Sequence, residues 1–355
     1  MSMLDKLYSV GITYENSRVC IESTGHYGQN LLVHLQGYGF EVAVINPLLT
    51  KAYQKAQSVR KVKNDAFDSL ALAKWLRSEN PSSYTLPPSK MLELKKIARF
   101  RTFLSQSISE HKNKVIAILD EIFPEYEKLF SDIFGKASIA ILLRYPSPEA
   151  LSRARLSTLT RILKENSGGR CGQEKAEALK EAAYSSFGTS DTLQAQTFEL
   201  ACLIDQIQNI QKKREEIDVF TKELLTQADT HITTIPGIGI VCAATILGEI
   251  GCISRFSSSS KLVAYAGLDS SVYESGEFKG SKGSPSKRGS RYLRRALYLA
   301  ADSARKYDPC LSAYYEKKRS EGRSHRSAVC TVARKLCNII YAVLKKDVPY
   351  TCQVS

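Results

Sequence analysis

Three carboxylates near the start of the chain could hold a metal ion. Glu22 ends a short apolar stretch, RVCIE, just before the turn STG, and Asp65 and Asp68 lie three residues apart at the start of a helical pattern. A side chain at the carboxyl end of a strand in an α/β sheet points toward the usual ligand crevice. Residues three apart on a helix share a face. Clustered carboxylate oxygens suit Mg²⁺ or Mn²⁺, and paired metal ions activate an attacking oxygen while they stabilise the leaving one.

A plainer alternative exists for the same residues. Asp65 and Asp68 would then be first-turn residues that favour the helix dipole, and Glu22 a solvated strand end. On the residues alone, this alternative is the stronger of the two.

A candidate nucleophile lies in the polar segment 267–297. Ser275 precedes a stretch from Phe278 to Ala301 that contains no acidic residue. A serine hydroxyl is a poor nucleophile alone, but metal coordination or a nearby base activates it, and surrounding cations hold a phosphate. A phosphate-binding loop without chemistry is the alternative. Residue chemistry alone does not separate Ser275 from the other serines of the segment, which include Ser281, Ser284 and Ser286.

Basic residues are concentrated in the same part of the chain. Residues 276–346 hold eighteen Lys and Arg against five Asp and Glu, so nearly all of the net charge of +14 lies there. Each cation that meets a phosphate releases condensed counterions, which favours binding to a polyanion. A merely soluble surface would not require such clustering. The candidates for contact with a DNA backbone are Lys287, Arg288, Arg291, Arg294 and Arg295, the last three spaced along a predicted helix.

A Pro-Gly-Ile-Gly turn precedes an apolar helical stretch at residues 233–251. It resembles a helix-hairpin-helix element, in which glycines such as Gly237 and Gly239 let backbone N–H groups approach a phosphate at a helix N-terminus. An ordinary turn between helices is the alternative. The basic segment that follows favours DNA contact.

The elements that would position these residues fall into an α/β part and a helical part. Residues 18–80 predict an α/β unit with strands at 18–22 and 41–47 and a helix near 27–37, and Pro87 and Pro88 mark its end. Beyond it, apolar residues recur near heptad spacing between Ile97 and Ile122 and again from Leu200 to Leu224. This pattern predicts the arms of an antiparallel or intermolecular coiled coil, with helices of a bundle as the alternative.

Length and composition set broad limits. A chain of 355 residues has room for two or three domains. The nine cysteines include no CxxC pair and no Cys/His spacing typical of zinc ligands, which disfavours a structural zinc site. The sequence has no signal peptide and no apolar run of 18 residues, so we expect a cytoplasmic protein without a membrane partner.

Seven short sequences are spread along most of the chain, from residue 21 to residue 297. They are IESTGHYG (21–28), VINP (44–47), KNDAFDSLALAKWL (63–76), IPGIG (235–239), SRFSSSSKLVAYAGL (254–268), YESG (273–276) and SKRGSRYLRRAL (286–297). In this order they resemble the DEDD-type insertion-sequence transposases, which are also described as bridge-RNA-guided recombinases. Each sequence alone is weak, and the combination is highly specific.

The resemblance implies an α/β plus α protein with three regions: a RuvC-like (ribonuclease H-like) domain at 1–88, coiled-coil helices at 89–229 and a mostly helical C-terminal transposase domain at 230–355. It implies that Glu22, Asp65 and Asp68 are Mg²⁺ or Mn²⁺ ligands and that Ser275 forms a covalent link to a DNA phosphate. It also implies a nucleoid-associated dimer or tetramer around DNA and a structured guide RNA, in which different protomers supply the serine and the acidic cluster.

One part of the family pattern is missing. Family members carry an aspartate on a first strand, in a D-x-S-K-like context, upstream of the glutamate; here twenty-one residues precede Glu22, and Asp5 lies in no such strand pattern. The resemblance therefore implies an incomplete RuvC-like sheet, from an N-terminally truncated reading frame or a decayed copy, with weakened metal binding. Besides the transposase, two functions stay open: a hydrolytic Holliday-junction nuclease, and a non-catalytic nucleic-acid-binding remnant.

Overall fold

The computed structural model describes residues 3–23, 27–57, 64–188, 191–269, 274–275, 278–279 and 286–352. Over these residues the protein is mostly helical, with four short strands. The chain divides into two compact units, Met1–Pro87 and Pro88–Ser355.

The elements of the first unit are α1 (Met3–Ser9), β1 (Arg18–Glu22), α2 (Tyr27–Gly37), β2 (Glu41–Ile45), α3 (Pro47–Gln57) and α4 (Asp65–Glu79). Those of the second unit are α5 (Ser89–Ile122), α6 (Tyr126–Leu129), α7 (Lys136–Arg144), α8 (Pro148–Ser152), α9 (Leu156–Ser167), α10 (Gln173–Tyr184), α11 (Leu193–Thr226), α12 (Ile240–Ile250), α13 (Ser259–Ala266), β3 (Glu274–Ser275), β4 (Phe278–Lys279), α14 (Arg291–Tyr307), α15 (Pro309–Ser320) and α16 (His325–Lys346).

The first unit is built on two parallel strands. β1 and β2 pair in register from Arg18↔Glu41 to Glu22↔Ile45, so both carboxyl ends meet at one edge. The strand EVAVI is almost continuously apolar and is buried, as expected for a parallel strand covered by helices. α2 packs on both strands and α4 packs on β1. Asp5 lies in α1 and not in a strand, as the sequence pattern indicated.

Two long helices organise the second unit. α5 and α11, each 34 residues long, pack side by side. They run antiparallel, because polar contacts join opposite ends in reverse order. Lys90 donates to the carbonyl of Gln227 at 3.0 Å, and Lys114 pairs with Glu199 at 3.3 Å. The arms thus pair within one chain and begin earlier than the apolar spacing predicts, at Ser89 and Leu193.

Two separate cores flank the arms. Helices α6–α10 pack with the adjoining ends of α5 and α11 around buried residues such as Ile122, Tyr126 and Leu163. Helices α12–α16 form the other core together with Leu94 of α5. α16 is long and apolar enough to cross a bilayer by length and composition. However, eight of its residues are buried and it packs against α13, α14 and α15, which makes it the central helix of this core.

The cysteines are not all single. Cys310 and Cys352 form a disulfide although 42 residues separate them, because the segment after α16 returns to the start of α15. The spacing of the two cysteines in the sequence does not predict this pair, because only the tertiary structure brings Cys310 and Cys352 together. The other seven cysteines are free.

Candidate active site and nucleic-acid interface

The first unit holds the three candidate metal ligands on β1 and α4. Glu22 is the last residue of β1 and is half-buried. Asp65 and Asp68 occupy the first turn of α4, which Asn64 caps by accepting a main-chain N–H at 2.7 Å. Asp65 is exposed, whereas Asp68 is half-buried and accepts a hydrogen bond from Gln54 Nε2 at 2.8 Å. The packing of α4 on β1 places all three carboxylates in one small unit.

Gly28, in the first turn of α2, lies close to the end of β1. A Cβ atom there would lie 3.0 Å from Ile21 Cγ2 and 3.7 Å from the carbonyl oxygen of Glu22. The first turn of α2 therefore lies directly over the end of β1. A larger residue would require Ile21, the neighbour of the candidate ligand Glu22, to shift.

The donor type of these residues fits a hard divalent ion, since all three offer carboxylate oxygens. Their spacing in this structure is wider than that of a closed metal cluster. Among the residues that the structure describes, one group of three or more potential ligands has its ligand atoms within 4.8 Å of one another, and that group lies elsewhere, at Asp308, Cys310 and Cys352. The assignment of Glu22, Asp65 and Asp68 as ligands remains a prediction from the resemblance.

Ser275 ends the two-residue strand β3, which pairs antiparallel with β4. Its backbone partner in the register is Phe278. The side chain of Ser275 lies outside the described residues, as do Ser281 and Ser284. Ser286 is described, and its hydroxyl donates to Asp269 Oδ1, so this serine has a structural partner.

The basic loop 286–290 is anchored by its backbone to the end of α13. Lys287 N–H donates to the carbonyl of Gly267 at 3.3 Å, and Ser290 N–H donates to that of Tyr265 at 2.8 Å. A Cβ atom at Gly289 would lie 1.9 Å from Tyr265 O, so only glycine allows this approach. The loop therefore holds the side chains of Lys287 and Arg288 exposed on a fixed backbone.

Helix α14 continues this basic surface. Ser290 caps the helix by accepting the N–H of Leu293 at 3.2 Å. Arg291 and Arg295 are exposed. Arg294 is half-buried and donates from Nη1 to the carbonyl of Ala266 at 3.3 Å. The structure thus separates the three predicted DNA-binding arginines of this helix: two face solvent, and one ties α14 to α13.

The Pro-Gly-Ile-Gly turn has a packing role that the sequence pattern did not reveal. Gly237 has a positive φ of 87°, and a Cβ atom there would lie 2.4 Å from the backbone nitrogen of Ala304 on α14. Gly239 is the N-cap residue just before α12, and a Cβ atom there would meet open space. Packing alone accounts for Gly237, whereas Gly239 leaves the start of α12 accessible. DNA contact by this turn stays a prediction.

An ion pair between a buried carboxylate and a half-exposed arginine supports the start of α14. Glu249 of α12 has a side chain that is 1% exposed and accepts two hydrogen bonds from Arg99 of α5, at 2.6 and 3.0 Å. It also accepts a hydrogen bond from Ser290 Oγ at 2.8 Å. The guanidinium of Arg99 lies 4.7 Å from the ring centroid of Tyr292. Three helices are therefore tied together where the basic loop enters α14.

The ion pair shifts the pKa of Arg99 itself, and Glu249 also acts on the nearby Lys95. Burial opposes the charge of Arg99, but the hydrogen bonds and the charge of Glu249 outweigh it, so the pKa of Arg99 is raised. Burial lowers the pKa of Lys95, and the attraction of Glu249 offsets only part of that effect. The sequence contained one signal for this network, a lone carboxylate in the apolar helix VCAATILGEI, because a buried charge needs a partner.

Comparison with protein families matches two parts of the chain. Residues 2–124 match a DEDD-type model described as "Transposase". Residues 229–316 match a model described as "Transposase IS116/IS110/IS902 family". The first match covers Glu22, Asp65 and Asp68, and the second covers Ser275 and the basic loop.

Similar proteins come from mobile elements and from a DNA-inverting system. The insertion element IS110 43.6 kDa protein of Streptomyces coelicolor is 26% identical over 81% of this chain and 72% of its own length. The insertion element IS116 44.8 kDa protein of Streptomyces clavuligerus is 25% identical over 93% of this chain and 83% of its own. The pilin gene-inverting protein of Moraxella bovis is 25% identical over 93% of this chain and 80% of its own.

Proposed function

We propose that this chain, which belongs to the IS116/IS110/IS902 family of transposases, cuts and rejoins DNA through a covalent link to Ser275. The observation that carries the proposal is the backbone-anchored basic surface of loop 286–290 and α14, which follows Ser275 in sequence and exposes Lys287, Arg288, Arg291 and Arg295. Cations held in place in this way bind a phosphodiester and stabilise the charge that develops on it during attack.

In the proposed reaction the Ser275 hydroxyl attacks a DNA phosphorus. The Oγ–P bond forms, the P–O bond to one strand breaks, and the proton of the hydroxyl passes to a base or to water while the leaving oxygen is protonated. The phosphoserine link conserves the energy of the phosphodiester. A hydroxyl from a second DNA end then attacks the same phosphorus and releases Ser275. The likeness to pilin gene-inverting proteins supports rejoining over hydrolysis.

Glu22, Asp65 and Asp68 would hold the divalent metal ion on which the DEDD transposase family typically depends. Such an ion, Mg²⁺ or Mn²⁺, would supply activation of the attacking oxygen and stabilisation of the leaving one. The role of the protein in this step is to hold the carboxylates close to the edge of the β1–β2 sheet. The parallel pair β1–β2 with flanking helices supports assignment of this unit to a RuvC-like fold.

We further propose that a structured RNA and at least two protomers take part. Residues 276–346 hold eighteen Lys and Arg against five Asp and Glu, and this positive charge could bind a second polyanion besides DNA. If different protomers supply the serine and the carboxylates, mixing Asp65→Asn chains with Ser275→Ala chains should restore activity that neither variant has alone. Failure of the mixture to recover activity would place both groups of a working site on one chain.

To test the function, the protein is expressed in cells that carry a plasmid with its insertion element and the native flanking DNA. Sequencing of the plasmid then detects excision of the element and rejoined DNA ends. Ser275→Ala and Asp65→Asn should abolish both products. The matched controls Ser281→Ala, in the same segment, and Asp120→Asn, an exposed acid on α5, should retain them. Activity of Ser275→Ala would refute the nucleophile, and activity of Asp65→Asn would refute the metal ligand.

A further inference from the structure

A second cluster of potential ligands lies in the C-terminal core and shares no residue with the sites described above. Asp308 joins α14 to α15, Cys310 is in the first turn of α15, and Cys352 follows α16. One ligand atom of each lies within 4.8 Å of the others. Two sulfurs and one carboxylate are thus brought together from two distant parts of the sequence.

Only one oxygen of the Asp308 carboxylate accepts a hydrogen bond of good geometry. Its side chain is 1% exposed, and Oδ1 accepts the N–H of Leu311 at 2.8 Å, which caps α15. Oδ2 is buried and meets no donor in good hydrogen-bond geometry. Tyr350 lies beside this carboxylate: burial raises the pKa of its phenol to about 12, and a side-chain hydrogen bond to Asp308 and the charge of Asp308 add to the effect. A buried carboxylate oxygen without a donor is destabilising unless a cation or a proton compensates it.

We propose that Asp308, Cys310 and Cys352 form a Zn²⁺ site when the Cys310–Cys352 disulfide is reduced. Reduction by two thiols yields two cysteine thiols and one external disulfide. Binding of Zn²⁺ then releases two protons and leaves both sulfurs as thiolate ligands. Asp308 Oδ2 supplies the third ligand, and water completes the tetrahedral set that zinc favours. Two sulfur donors select zinc over magnesium or calcium.

The site would clip the C-terminal segment to the body of the domain. Tyr350 N–H donates to Thr234 Oγ1 at 2.8 Å, which places this segment beside the residues that lead into the Pro-Gly-Ile-Gly turn. Zinc would therefore join the segment around Cys352 to the connection between α14 and α15 at Asp308. This connection lies four residues after Ala304, the residue of α14 against which Gly237 packs. In the oxidised chain the disulfide makes the same connection without metal.

The test uses the full chain, reduced with a phosphine, freed of metal by a chelator and then dialysed against Zn²⁺. Elemental analysis should find about one more zinc in the reduced chain than in the oxidised chain. Zinc should raise the thermal unfolding midpoint of the reduced chain only, because binding stabilises the folded state. Co²⁺ in place of zinc should give a thiolate-to-metal charge-transfer band, which reports the sulfur ligands directly.

Variants identify the ligands. Cys352→Ser and Asp308→Asn should each weaken zinc binding by about 100-fold or more, since a lost ligand costs at least as much as a lost ligand-orienting contact. Asp308→Asn keeps an oxygen that can cap α15. Cys202→Ser, which removes an exposed free thiol on α11, is the matched control and should bind zinc normally. Absence of zinc from the reduced chain, a Co²⁺ spectrum without sulfur charge transfer, or normal binding by Cys352→Ser would each overturn the proposal.

Discussion

Replacement of Arg99 by methionine should destabilise the C-terminal core more than replacement of Glu249 by glutamine. The Glu249 side chain is 1% exposed, and that of Arg99 is 43% exposed. Without Arg99, a carboxylate is left charged and buried, and breaking such a pair typically costs about 3–5 kcal/mol. Attraction from Lys95, whose own pKa is lowered by burial, compensates in part, so we expect about 3 kcal/mol.

Glu249→Gln should cost less, for a structural reason. The amide oxygen can still accept from Ser290, and the half-exposed guanidinium of Arg99 can be hydrated instead of paired. The loss then resembles that of hydrogen bonds to a charged group, about 1–2 kcal/mol. The double replacement Arg99→Met with Glu249→Leu should recover most of the loss, because it removes both charges from the core.

The unfolding free energies of these variants are measured by urea titration of the full chain, with far-ultraviolet circular dichroism as the signal. The only tryptophan, Trp75, lies in the first unit and does not report on this core. Hydrogen exchange of peptides from α12 and α14 locates the change. Arg161→Met breaks an exposed pair with Glu165 and should change stability by less than about 0.5 kcal/mol. Equal losses for the two core variants, or an Arg99→Met loss below about 1 kcal/mol, would refute the reasoning.

Three further predictions follow from single sites. Gly237→Ala should cost about 2 kcal/mol or more, because the new Cβ meets backbone of α14 and φ is positive. Gly239→Ala, in open space at the N-cap of α12, should cost less in the same urea titration, at most about 1 kcal/mol. Burial raises the pKa of the Tyr126 phenol. The stability that this tyrosine contributes is therefore complete below its unfolded pKa of about 10 and is lost as pH rises above that value. Tyr126→Phe should reduce the fall in unfolding free energy at alkaline pH, and an unchanged fall would show that Tyr126 is not its cause. Arg295→Ala should weaken DNA binding alike for all sequences and reduce the slope of log K against log salt by about 0.9, whereas Arg161→Ala should leave the slope unchanged.

The spacing of apolar residues and the positions of helix- and strand-breaking residues predict much of the fold. The apolar stretches RVCIE and EVAVI became the paired strands β1 and β2, and the helix near 27–37 matches α2. The repeated apolar residues after Ile97 and Leu200 became the two long arms. Sequence spacing did not choose between pairing within one chain and pairing between chains, because the same apolar face serves either arrangement.

The features that the sequence concealed depend on tertiary approach. Glu249 and Arg99 are 150 residues apart and meet only because α12 packs on α5. Gly237 looked like a phosphate-binding glycine, yet its position against α14 gives it a packing reason. Cys310 and Cys352 carry no spacing signal at all. The roles of Glu22, Asp65, Asp68 and Ser275 rest on the family resemblance, since residue type alone favoured no catalytic role.

The measurement that bears most directly on the serine nucleophile is mass-spectrometric mapping of the protein after reaction with DNA that carries the element ends, in the presence of Mg²⁺ or Mn²⁺. We expect a nucleotide-modified peptide with the phosphate on Ser275, and we expect it to vanish without the divalent ion and in Asp65→Asn. Cleaved DNA with free ends and unmodified protein, or a phosphate on another residue, would contradict the mechanism.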